Sequence, residues 1–167
     1  GQPIVALFVC YTGKVEDGEK LIASIRAIGS AVGDIVQRRP YVSQQSLLDA
    51  TQPKGRRYYW KSEYLPRIDK EMTDAAIQHA GGFVSPHSAI IFFPLKGPLN
   101  RLSEDHSAVG NRDAAAVLNI ASSWEKADAD VANIEWTRGV WRDMRRFSTG
   151  GTYINFLTEE HAGDRIQ

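Results

Sequence analysis

Residues 114–124 read AAAVLNIASSW, and this run decides the fold. It is too apolar and too rich in small and β-branched residues for a loop, and it reads as a strand. Successive strand side chains point to opposite faces. Leu118 and Ile120 therefore share one face, and Val117, Asn119 and Ala121 share the other. The aliphatic face suits a layer of helices. The other face carries small residues and one amide.

The rest of the chain supplies neighbours and cover. Residues 57–64 are aromatic-rich and read as a strand, as does SAIIFF at 88–93. Residues 4–11 (IVALFVCY) read as a further, buried strand, and 153–157 as a final one after the Gly150-Gly151 turn. In 16–28, Leu21, Ile22, Ile25 and Ile28 recur at helical spacing before Gly29. Residues 66–80 read as a helix with Pro66 near its start and Gly81-Gly82 at its stop. The longest helix is expected over 130–147, with Val131, Ile134, Trp141 and Met144 on one stripe. Residues 46–50 suit a short helix, 52–55 a loop, and 96–101 an extension or partner of the 88–93 strand. Strands and helices do not alternate cleanly, so the expected fold is α+β: a mainly antiparallel sheet with helices packed on one face and the other face open.

At 167 residues the chain is about one domain, large enough to bury a core without staples. Lys plus Arg and Asp plus Glu both number 20, so the basic excess of a nucleic-acid or membrane-surface binder is missing. Cys10 is the single cysteine, and no disulfide within the chain is possible. No apolar run reaches the roughly 18 residues of a membrane span. The first residues do not read as a signal peptide, which makes the cytoplasm the default expectation. The start looks entered in mid-fold, so any leader would lie upstream.

The residues taken alone give no reaction. His79, His87, His106 and His161 have no metal-ligand spacing, and no GxSxG, GxGxxG or Walker loop is present. The pairs Arg38-Arg39, Arg56-Arg57 and Arg145-Arg146 read as solvated surface. Asn119 is the odd residue. On an open sheet face its amide either meets a ligand or is satisfied by backbone or water. Tyr58, Tyr59, Trp60 and Tyr64 are similarly divided between core and pocket.

Four stretches in register carry a resemblance. They are PYVSQQSLLDATQPKGRRYYWKSEYL (40–65), SPHSAIIFFPLKGPLNRL (85–102), GNRDAAAVLNIASSWEKADAD (110–130) and IEWTRGVWRDMRRFSTGGTYINFLTEE (134–160). Together they resemble the substrate-binding and C-terminal region of the berberine bridge enzyme-like FAD-linked oxidases, in the vanillyl-alcohol oxidase type superfamily. The resemblance implies a substrate-binding domain over 1–147 and the start of a C-terminal segment over 148–167. It also implies an FAD domain elsewhere in the same polypeptide, toward which the open sheet face would point.

The implied chemistry is oxidation of an alcohol, a sugar or a secondary metabolite by hydride transfer to FAD, with O₂ as reoxidant. The piece alone is expected to be inactive and to bind no FAD. The resemblance places Tyr153 and Asn155 at the flavin, and Phe93, Asn119 and Phe156 at the substrate. Phe156 stands where relatives often have a catalytic Tyr, and Phe93 also replaces a Tyr. Phe cannot accept a proton, so the catalytic base is unassigned. Asn111 stands where the family often has His before Arg112. The expected partners are a small-molecule substrate and the FAD domain, with no nucleic acid and no membrane, and with self-association through the uncovered face. The alternative is a non-enzymatic α+β module that binds a small apolar ligand, or self-associates, through that face.

Overall fold

The computed structural model describes residues 2–157. The tail at 158–167, with His161 and the end of the expected C-terminal segment, lies outside the described residues. The chain divides into two compact units, one spanning Ile4–Pro53 and the other comprising the residues before Ile4 together with those from Lys54 onward.

The first unit holds helices α1 (Val15–Arg26) and α2 (Tyr41–Gln45) and a 3-10 turn at Asp49–Thr51. Gly18, inside α1, lets the Tyr11 ring lie against the helix; a Cβ there would sit 2.6 Å from Tyr11 Cδ1. Arg38 reaches Glu19 at 2.6 Å, as expected for solvated basic pairs. The run at 4–11 is not a strand here. A strand requires a neighbour's ladder of hydrogen bonds, and these residues form none among the described residues. Ile4, Val5, Leu7 and Phe8 are exposed.

The second unit carries the sheet. Strands β1 (Arg57–Leu65), β2 (Ala89–Pro94) and β3 (Ala116–Trp124) lie in the order β1-β3-β2. Both pairings are antiparallel. Helices α3 (Lys70–Ala80) and α5 (Asp130–Met144) belong to the same unit, with the short α4 (Pro98–Arg101) before β3. The expected α+β architecture is therefore present, with β3 at its centre.

Alternation along β3 sorts the residues as its sequence predicts. Leu118 and Ile120 are fully buried in a core with Leu65, Met72, Val140 and Met144. Each such side chain contributes about 1.5–3 kcal/mol by leaving water. Ser122 sits on the same face, where its hydroxyl meets Thr137 of α5 at 2.7 Å. Helix α3 starts at Lys70, later than Pro66, because Asp69 caps it by accepting the Met72 N–H at 3.0 Å. Residues 96–101 form a helix turn and not a strand extension. Pro98 there has no N–H to give a ladder.

Candidate functional site: the uncovered face of the sheet

The register builds the second face in rungs. Ser62 of β1 stands opposite Asn119 of β3, and Ile91 of β2 stands on its other side. Tyr64, Val117 and Phe93 form the next rung, and Trp60, Ala121 and Ala89 the previous one. Tyr58 opposite Ser123 closes the far end. No acid, base or imidazole occupies a strand position on this face. Its chemistry is neutral: hydroxyls, one amide, one indole and apolar side chains.

Residues 148–156 close one end. Tyr64 donates its N–H to the Gly151 carbonyl at 3.1 Å and accepts the Thr149 N–H at 3.0 Å. The Thr152 hydroxyl donates to the Ser62 carbonyl at 3.2 Å. Gly151 passes so close that a Cβ would lie 2.6 Å from Asn111 Oδ1 and 3.1 Å from Tyr64 Cδ2. Asn111 itself is held at φ 56°, in the left-handed region.

The final strand expected at 153–157 is instead a 3-10 turn over Ile154–Phe156. In such a turn residues i and i+3 eclipse. This brings Tyr153 and Phe156 together, edge to face, with ring centroids 5.4 Å apart. Phe156 then meets Phe93 at 5.9 Å. The segment therefore runs from the edge of β1 across the end of the face to β2, as a strap.

Tyr153, Phe156 and Phe93 thus form one aromatic cluster beside Tyr64 and Val117. Asn119 lies one rung further along β3, 5% exposed. Asn155 is exposed, and its amide donates to the Tyr153 hydroxyl at 2.9 Å. Burial, and secondarily the neighbouring Tyr153, pushes the Tyr64 phenol above its ordinary range. Tyr64 is therefore a protonated donor at neutral pH, not a ready base.

Sequence reasoning missed how unsatisfied this face is. Asn119 Oδ1, Ser62 Oγ, Ser123 Oγ and Trp60 Nε1 are all buried without a hydrogen-bond partner among the described residues. Each such group costs about 1–3 kcal/mol. They are four of the eight buried polar side-chain atoms without a partner among the described residues, gathered on two adjacent strands. Alternation in RYYWKSEYL would have grouped Trp60, Ser62 and Tyr64. Only the register shows that they share a face with Asn119.

Elsewhere the charges satisfy one another. A cleft of about 290 Å³ borders Arg57, Tyr58, Trp124 and Asp130. Within it Arg57 Nη2 and Trp124 Nε1 donate to Asp130 at 2.6 and 2.7 Å. His79 pairs with Asp143 at 3.0 Å, and His87 lies 3.8 Å from Glu125. Among the described residues no group of His, Cys, Asp and Glu is arranged to hold a metal. No helix among them is long and apolar enough to cross a membrane.

A neutral face with apolar rungs and unsatisfied hydrogen-bonding groups fits one side of a flat isoalloxazine or of a substrate lying on it. It offers no cradle for a pyrophosphate, so the dinucleotide part of FAD would need residues beyond these.

In fold the chain is similar to part of berberine bridge enzyme-like and other flavoenzyme structures, and in sequence it is similar to part of an FAD-linked oxidoreductase. No family model matches the chain. A curated relative is an FAD-linked oxidoreductase of Dictyostelium discoideum, 24% identical over 98% of this chain. The chain spans 38% of that relative's length.

Among solved structures, GilR is an oxidoreductase that catalyses the terminal step of gilvocarcin biosynthesis and was solved with pregilvocarcin. It matches 87% of this chain and 33% of its own, with a TM-score of 0.69 and 22% identity. A BBE-like protein of Arabidopsis thaliana matches 64% of this chain and 24% of its own, with a TM-score of 0.58 and 15% identity. The resemblance read from the four sequence stretches is borne out.

Proposed function

We propose that this chain is the substrate-binding part of an FAD-linked oxidoreductase that oxidises an alcohol, a sugar or a secondary metabolite, and that it is inactive alone. One observation carries the reading: four buried polar groups without a partner among the described residues share the sheet face that looks away from the helices. Flavin, held mainly by another domain of the same polypeptide, would supply the hydride acceptor, with O₂ as reoxidant. The chain's own residues bind and orient.

Asn119 presents an amide to the substrate. Phe93 and Phe156 wall one end and exclude water. Tyr153, with its hydroxyl held by Asn155, faces the flavin side. Phe93 and Phe156 carry no proton-accepting group, so the base comes from the FAD domain or the substrate is acidic enough to need little help. The carbons oxidised in such reactions lie beside oxygen or nitrogen, and a neutral amide and hydroxyls suit those neighbours.

The test is an absorbance spectrum of the full-length gene product before and after acid precipitation. Flavin bands that stay with the pellet support an oxidoreductase with covalent FAD, and bands released to the supernatant support one with dissociable FAD. A colourless protein that takes up no added FAD refutes the reading.

A second reading rests on the Phe93–Phe156 contact at 5.9 Å. An apolar end without a base also suits a module that binds a small apolar ligand. That reading expects saturable fluorescence changes with apolar ligands and no dependence on flavin. The exposed Ile91 and Phe93 on the same face give the isolated chain a surface for self-association, which sedimentation over a range of concentrations measures.

A further inference from the structure

Glu63 is fully buried on the helix-facing side of β1, the side away from the candidate site. A carboxylate there is costly unless its oxygens are hydrogen-bonded. Oε1 accepts the Trp141 indole N–H of α5 at 2.6 Å. Oε2 accepts a short hydrogen bond from the Ser148 hydroxyl. Ser148 Oγ in turn accepts the Gly150 N–H at 2.9 Å, and Gly150 holds φ 102°, which only glycine adopts freely.

An apolar residue of similar size would fill the same space and avoid the desolvation cost. What the carboxylate adds is reach. It ties β1, α5 and the first residue of the strap to one point. The strap is then hydrogen-bonded along β1 through Thr149, Gly151 and Thr152 before it delivers Tyr153 and Phe156 to the other face.

We infer that Glu63, acting through Ser148, is a positioning residue that sets where Tyr153 and Phe156 stand over the open face. The inference rests on the proposed function, because it gives those two rings a role at the reacting site. Glu63 lies on the opposite side of β1 from Ser62 and Tyr64. Ser148 is the joint at which the strap is either held or released.

The test uses the full-length protein and two readouts. Ser148→Ala deletes the joint while leaving Glu63, Trp141 and the core in place. Ser148→Thr restores the hydroxyl. Amide hydrogen exchange across 149–156 should speed by about tenfold in Ser148→Ala, with β3 and α5 unchanged. Turnover should fall by roughly tenfold to a hundredfold, as expected for misplaced binding groups. Ser148→Thr should return both toward the parent. If Ser148→Ala fails to fold, Glu63→Gln serves instead, because its amide has one oxygen to accept from two donors.

Unchanged exchange at 149–156 overturns the inference. So does a uniform loss of protection, which would make the link a general stabiliser. Local loosening with full turnover also overturns it, since the strap would then be held for no purpose at the site. A colourless, inactive parent defeats the functional reading and the positioning role together. The exchange measurement alone would still decide whether Glu63 and Ser148 hold the strap.

Discussion

Asn119→Leu should make the chain more stable and the full-length protein less active. Asn119 is 5% exposed, and its Oδ1 is buried with no partner among the described residues. An unsatisfied buried acceptor costs about 1–3 kcal/mol. Leucine has nearly the same shape and removes that cost. It also gains contact with Ile91, the neighbouring position on β2. The expected gain is therefore about 1–3 kcal/mol. With a urea slope of roughly 1–3 kcal/mol/M, the unfolding midpoint should rise by on the order of 1 M. Tryptophan fluorescence during urea unfolding of the 167-residue chain measures this. In the full-length protein the same substitution should cut kcat/KM at least about tenfold, as loss of one productive hydrogen bond in a dry site does. A midpoint that falls, with the slope unchanged, would show that the amide is satisfied in the native chain. Unchanged kcat/KM would remove Asn119 from the site.

Three further outcomes follow from the packing. Leu118→Ala, in the centre of the core, should cost about 2–5 kcal/mol by chemical denaturation; a cost below 1 kcal/mol would mean that the helices do not pack on this face. Gly151→Ala brings a Cβ within 2.6 Å of Asn111 Oδ1, so it should lower the melting temperature and loosen residues 149–156 in hydrogen exchange, and a neutral result would mean that the strap does not pass against Asn111. The Arg57 hydrogen bond, aided by Trp124, holds the Asp130 carboxyl below its ordinary 3.8. A depressed carboxyl stabilises the fold above its unfolded value and loses that contribution as pH falls through the folded value. Asp130→Asn should therefore flatten stability against pH below about 4, and an unaltered acid limb would show that the Arg57–Asp130 pair is absent in solution.

The parts of this fold that sequence makes legible are those governed by a single period. In AAAVLNIASSW, alternation alone separates Leu118 and Ile120 from Asn119, and the structure buries the first two against the helices. The helix over Asp130–Met144 is visible as an element, but its expected stripe is not the buried one: Val131 is 75% exposed, and Asn133, Thr137, Val140 and Met144 are the residues it buries. Residues 4–11 have the same apolar composition as a strand, but composition does not supply the neighbour that a ladder needs. Glu63 was hidden for the opposite reason. A carboxylate in a strand reads as solvent-facing, and nothing local reveals that Trp141 and Ser148, 78 and 85 positions away, satisfy it.

The strap shows why the geometry of the site is less legible than its composition. Read as a strand, 153–157 would place Tyr153 and Asn155 on one face and Phe156 on the other. A 3-10 turn has three residues per turn. It therefore pairs Tyr153 with Phe156 and leaves Asn155 exposed. The choice between these is not made by the residues of the turn. It is made upstream, where Tyr64 and Ser62 have already claimed the hydrogen-bonding groups of Thr149, Gly151 and Thr152. Once those bonds are made along the edge of β1, the chain must leave that edge to bring Phe156 onto Phe93, and a tight turn is the short way to do it. The identity of the rings over the open face is thus written in 153–156, while their position is written in β1.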